Sequence, residues 1–321
     1  MQVVNGDVYR RLVPLVGADR DNGKIPPKPI LWLATRLHPA FRERNRLAQQ
    51  ALDERPYLAV IQGWATERHE WIAMNRELSG PDPAELSDDD LAGHLEALGA
   101  HVIAGWTRHH ELHGADLGPI GDLLQHTQAW GLDDVEVMQL LKGASPATFD
   151  AARHATRIAE ALRDNGVDPA TVGDVDTIRA VPDAATHLDA YLDEFGWRLI
   201  TGYDIEDSTL IELPAAICAI VRAAAVGEAL PDTSIDTELE ARLADTVDDR
   251  ALFEQLLGDA RTAYGMRDDN GPLTWQWPAG LVRRAYLEAG RRLADAGRLG
   301  DAAFVFELDI DELAAVLRGA V

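Results

Sequence analysis

The sequence predicts a mainly α-helical fold: a multi-helix chain with a short N-terminal β-hairpin and a short strand near residue 306. Three observations predict it. Apolar residues recur at helical spacing over long stretches. Capping residues punctuate those stretches. No segment alternates strand with helix as a doubly wound sheet would, and no repeat of 20 to 50 residues is present.

The elements follow in order. Val3-Val4-Asn5-Gly6-Asp7-Val8-Tyr9 reads as a hairpin, because Asn-Gly between β-branched residues favours a tight turn. Asp19 to Pro29 is a polar, proline-containing connector. Pro39 suits the first turn of a helix running to about Arg55. A second helix over Tyr57–Leu78 places Trp64 and Trp71 seven residues apart, on one face. Ser87 is a good N-cap, and three aspartates after it complement the helix dipole of a segment reaching about His113. Ser145-Pro146 opens another helix that Gly166 closes, and Pro182 opens one that Gly196 closes. Leu213–Val226 is apolar nearly all round and belongs in the interior. Helices over Thr237–Val247, Asp249–Arg267 and Pro278–Ala296 follow. Phe304–Leu308 reads as a short strand, and Asp309 with Glu312 forms a capping box for a last helix to Leu317. The break at Asn165–Asp176 suggests two sub-domains, 1–165 and 166–321.

Composition narrows the function. The chain has 321 residues, 46 % hydrophobic and 26 % charged, with a formal net charge of −24. That charge repels phosphate backbones and anionic lipid, so neither nucleic acid nor a membrane is the expected partner. Residues 1–80 nevertheless carry +3, leaving −27 for the remainder. The single cysteine, Cys218, excludes a disulfide scaffold and a cysteine metal cluster and fits a reducing compartment. No apolar run of about 18 residues and no signal-like start is present, so a cytoplasmic location is expected. The only lysines are Lys24, Lys28 and Lys142.

Complete catalytic motifs are missing: the sequence has no GxxxxGK[ST], no GxGxxG and no GxSxG. Arg108-His109-His110-Glu111-Leu112-His113, followed by Asp116, is the densest polar patch. His109 and His113, or His110 and His113, share a helical face and could share a metal, but the run is one residue short of HExxH. The expectation is therefore no metal, with these histidines lining a polar pocket or ending a helix. Trp64, Trp71 and Trp106 are either core residues or the wall of a cavity for a bulky, flat molecule.

Two later regions are more specific. One runs Tyr191-Leu192-Asp193-Glu194-Phe195-Gly196-Trp197-Arg198 and on to Gly202-Tyr203-Asp204. The other contains Ala260-Arg261-Thr262-Ala263-Tyr264-Gly265-Met266-Arg267-Asp268-Asp269, then Arg283-Arg284-Ala285-Tyr286-Leu287-Glu288-Ala289-Gly290-Arg291-Arg292-Leu293, Gly297-Arg298-Leu299 and Val305-Phe306-Glu307-Leu308-Asp309-Ile310-Asp311-Glu312-Leu313. Together with the opening Asn5-Gly6-Asp7-Val8-Tyr9, these resemble the central helical domain of rifampicin phosphotransferase and related phosphoenolpyruvate-synthase-like proteins.

The resemblance implies a module that binds an acceptor. ATP and a phosphohistidine intermediate would be handled by an ATP-grasp domain and a swivelling phosphohistidine domain, on other chains or on a longer form of this one. It implies that Arg267 faces the phosphohistidine, where a guanidinium would stabilise a transferring phosphoryl group. The family's lysine four residues later is Gly271 here. Arg198 and Asp204 match the arginine and aspartate of the family's GHRGxxExD turn, as an ion pair bracing it or as functional groups, with Trp197 at the histidine position. The expected acceptor site is His109, His110, His113, Trp64, Trp71, Trp106, Arg198 and Asp204. Two other readings stay open: a stand-alone binding or scaffold protein, and a metal enzyme using His109 and His113.

Overall fold

A computed structural model describes residues 2–4, 7–9, 27–145, 147–227 and 236–320. It is mainly helical. The chain forms two compact units, Met1–Pro56 and Tyr57–Val321.

In the first unit, strands β1 (Gln2–Val4) and β2 (Asp7–Tyr9) are three residues each and pair antiparallel, with Val3 opposite Val8. The Asn5-Gly6 turn expected between them lies outside the described residues, as does most of the expected connector. Helices α1 (Lys28–Leu37) and α2 (Pro39–Glu54) complete the unit. Trp32 there lies under the Arg36 guanidinium, 4.0 Å from ring centroid to Cζ.

The second unit holds α3 (Tyr57–Ser79), α4 (Asp88–Ala115), α5 (Gly118–Ala129), α6 (Asp134–Gln139), α7 (Ala147–Asp164), α8 (Val175–Arg179), α9 (Pro182–Phe195), α10 (Pro214–Val226), α11 (Thr237–Ala244), α12 (Arg250–Gly271), α13 (Trp277–Asp295) and α14 (Ile310–Leu317). The caps act as the sequence requires. Ser87 Oγ accepts from the Asp90 amide at 3.1 Å. Asp309 and Glu312 form the reciprocal capping box of α14. Gly166 and Gly297 adopt positive φ, 76° and 70°, just past their helices, where a side chain would be strained.

Three apolar clusters hold the unit together. The first joins α3, α4, α13 and α14 through Trp64, Leu91, Leu95, Trp277, Tyr286 and Leu313. The second joins α7 to α10 through Ile158, Leu162, Ile178, Leu188 and Ile217, so residues on both sides of position 165 share one cluster. The third joins α5, α6, α11 and α12 through Leu123, Val137, Leu243 and Phe253. Helix α10 is more one-sided than its composition suggests: Ile217, Cys218 and Val221 are buried, while Val226 is exposed.

The strand expected near residue 306 is not there. Ala302–Glu307 is a 3₁₀-helix, capped by Asp301. Its apolar run Phe304-Val305-Phe306 finds no strand to pair with among the described residues. Instead Val305 packs into the first cluster beside Gly290, whose absent Cβ would lie 2.4 Å from the Ala302 carbonyl oxygen. Packing on α13 thus overrides the local strand pattern.

Helices α12 and α13 are continuous through a π-helical turn, Pro272–Gln276. Pro272 has no amide to donate, which breaks the regular ladder. A buried polar network supports the turn. Asn75 Nδ2 donates to the Leu273 carbonyl at 2.9 Å, and His101 Nε2 lies 2.7 Å from Asn75 Oδ1. Thr274 Oγ1 donates to Asn270 Oδ1 at 2.9 Å. Helix α4 approaches so closely that a Cβ on Gly105 would lie 2.0 Å from the Thr274 carbonyl oxygen. Burial pushes the His101 imidazole down to about 4, so it is neutral and donates to Asn75 at ordinary pH.

Candidate functional site

The structure separates the expected site residues into four places. Trp64 is buried in the first apolar cluster, and Trp71 packs at its edge with its ring 5.1 Å from that of His101. Trp64 is a core residue and Trp71 is half-buried against that core. Their common face was correctly expected, but it is the face that α4 covers.

Trp106, His109, His110 and His113 do come together, on the last three turns of α4. The Trp106 ring stacks on His109 at 5.7 Å and meets His110 edge-on at 4.4 Å. The His109 and His113 rings are 4.3 Å apart. Each imidazole already has a partner: His109 Nδ1 is 3.1 Å from Asn270 Oδ1, His110 Nδ1 is 2.8 Å from the Trp106 carbonyl, and His113 Nδ1 is 3.3 Å from Asp116 Oδ2. Burial lowers the His109 pKa, and its two histidine neighbours lower it further. Trp275, from the π-turn, adds its ring 4.4 Å from Trp106 and donates Nε1 to the Tyr203 carbonyl at 3.1 Å. No group of three or more His, Cys, Asp or Glu side chains among the described residues is placed to hold a metal ion.

Asp204 lies on the exposed 200–209 loop, beside that cluster in sequence only through Tyr203. Its Oδ1 accepts from the Glu206 amide at 3.0 Å. The expected Arg198–Asp204 ion pair is not formed. Arg198 is instead 3.7 Å from Glu194 Oε1, because the turn after α9 brings it back beside the last turn of that helix. Arg267 is exposed on α12 and does not line the cavity that its neighbours Asp268 and Asp269 line.

Arg198 marks a place that sequence reasoning missed. A cavity of about 580 Å³ opens between α3, α7, α9, α12 and the 141–145 turn. That volume is in the range of small-molecule sites. Its charged lining includes Arg68, Glu194, Arg198 and Asp269, and its apolar lining includes Phe149, Phe195 and Tyr264. Arg68 Nε is tied to Asp269 Oδ2 at 2.7 Å. Arg198 is not tied in this way. Its guanidinium lies 4.3 Å over the Phe195 ring and 5.8 Å from the Trp277 ring. Its Nε is buried without a hydrogen-bond partner. Burial pulls its pKa down to about 10, against the opposing pull of Glu194 and Asp269, so it stays charged at neutral pH. The cavity therefore offers flat apolar walls and one under-compensated cation.

Arg68, Asp269 and Tyr264 reach this place from helices far apart in sequence. No local spacing announces them. The Tyr264–Asp269 stretch was conspicuous only for Arg267, its one exposed cation.

No protein-family model matches the chain. No curated protein matches it either. No helix among the described residues is long and apolar enough to cross a membrane.

Proposed function

We propose that this chain is the acceptor-binding module of a phosphoenolpyruvate-synthase-like phosphotransfer system. The observation that carries the reading is the cavity beside Arg198: an open, aromatic-walled cleft with an under-compensated guanidinium, in a chain without a catalytic motif of its own. The motifs around Arg198, Arg267 and Val305–Leu313 supply the family. In this reading an ATP-grasp domain splits ATP, a phosphohistidine domain carries the phosphoryl group, and this chain holds the acceptor in place. Arg267 is exposed one residue from the cavity-lining Asp268, so an incoming domain can reach it without opening the fold. ATP-dependent chemistry and a single buried cysteine both suit the cytoplasm.

The test mixes the purified chain with candidate ATP-grasp and phosphohistidine proteins and follows ATP consumption. The expected result is consumption that requires this chain and an acceptor, and that R267M abolishes. No consumption with any partner sinks the reading. One observation favours a stand-alone binding protein instead: Gly271 stands where the family has a lysine. That alternative predicts small-molecule binding with no dependence on partners.

A further inference from the structure

We infer that the cavity beside Arg198 takes a planar aromatic molecule bearing an oxyanion, a carboxylate or a phosphate, with the oxyanion on the Arg198 guanidinium. The inference rests on the acceptor-module reading only for the use of the site, since its grounds are geometric.

Arg198 sits where an anion is missing. A buried guanidinium carries five donors and normally spends most of them on carboxylates or carbonyls. Arg198 has a single ion pair, to Glu194 at 3.7 Å, which exceeds hydrogen-bonding distance. Its Nε has no partner. The other guanidinium in the lining, Arg68, already holds the Asp269 carboxylate at 2.7 Å, so its charge is matched at close range where that of Arg198 is not. An oxyanion making short, charge-assisted hydrogen bonds would outcompete the distant Glu194 carboxylate. The remaining cation of the lining, Lys142, is exposed.

The walls specify the rest of the ligand. Phe195 covers one face of the Arg198 guanidinium, and Phe149, Tyr264 and Pro272 supply further flat apolar surface. Flat rings stack well on such surfaces, and a space of about 580 Å³ holds a two-ring molecule. Asp150, Glu194, Asp268 and Asp269 also line the cavity, so the Arg198 guanidinium is where an oxyanion gains most against their charge, with Glu194 its direct competitor.

Titration calorimetry with three matched probes tests this at pH 7: 2-naphthoate, 2-naphthyl phosphate and the neutral naphthalene-2-methanol. Wild-type protein is expected to bind at least one anionic probe about tenfold or more tighter than the neutral one. The order of the two anions tells a carboxylate site from a phosphate site. R198M should erase the preference and keep the neutral probe's affinity. E194Q, which removes the competing carboxylate, should tighten the anion severalfold, and it keeps the test decisive if R198M does not fold. Equal affinity for charged and neutral probes, with no gain in E194Q, overturns the inference and leaves the acceptor-module reading intact. Failure of all three probes to bind also overturns it, and the acceptor-module reading then stands or falls by the partner-dependent ATP consumption.

Discussion

Two largely buried arginines, Arg283 and Arg198, show how differently one side chain can be used in the same unit. Arg283 is saturated. Its Nε and Nη2 grip Glu212 at 2.8 and 3.0 Å, and its Nη1 reaches the carbonyls of Ile205 and Glu206 at 3.1 and 2.8 Å. Burial pulls the Glu212 carboxyl upward, but the hydrogen bonds from Arg283 and Thr209 outweigh it and hold the pKa below the usual value. That arginine ties α13 to the loop before α10. Arg198 has one long ion pair and a buried Nε without a partner. A satisfied buried charge is a staple; an unsatisfied one marks where something else is meant to sit.

Substitutions can break this contrast. R283M leaves Glu212 half-buried without its countercharge and should cost about 3–5 kcal/mol of stability in urea denaturation. G280A strikes the backbone between the two arginines. Its Cβ would lie 1.8 Å from the Trp197 carbonyl oxygen and 2.9 Å from Thr209 Cγ2. The expected loss is about 1–3 kcal/mol by the same measurement. G258A in α12 meets nothing within 4 Å and should instead gain about 0.5–1 kcal/mol. R198M removes a cation that burial already penalises, so its stability should stay within about 1 kcal/mol of wild type. A loss as large as that of R283M would make Arg198 a second staple and erase the contrast.

A smaller, pH-dependent effect sharpens it. His101 stays neutral in the fold down to about pH 4, while in the unfolded chain it takes up a proton near its ordinary 6.5. Between those values the unfolded state binds more protons, so stability declines as pH falls from 6.5 toward 4. Burial also lowers the pKa of His94 and His109, which adds in the same direction. H101Q keeps a donor for Asn75 and should flatten the slope of melting temperature against pH in that window.

Much of the fold was legible in the sequence because caps and periodicity are local. Ser87, Asp309 with Glu312, Pro182, Gly166 and Gly297 mark real helix ends. Phe304–Leu308 departs from the expected strand because it has no neighbouring strand to pair with among the described residues, which only the fold reveals. The site was less legible. Helical spacing correctly put Trp64 and Trp71 on one face and gathered His109, His110 and His113, but spacing does not say what covers a face. Arg198 was visible in its motif, yet its surroundings were not. Its ion partner is the nearer Glu194 rather than Asp204, and Arg68 and Asp269 reach the cavity through pairing across 201 residues of chain.

The π-turn at Pro272–Gln276 sets the angular phase of everything after it. A π-turn holds one more residue than the α-helical turn it replaces, and each residue advances an α-helix by about 100°. Deleting a single residue there would let α12 and α13 run on as a regular α-helix. The side chains from Trp277 to Asp295 would then be rotated by about that angle relative to the cavity-lining residues of α12. Trp277, Gly280 and Gly290 would no longer face the surfaces they fit. Phase, not length, is what this short turn contributes.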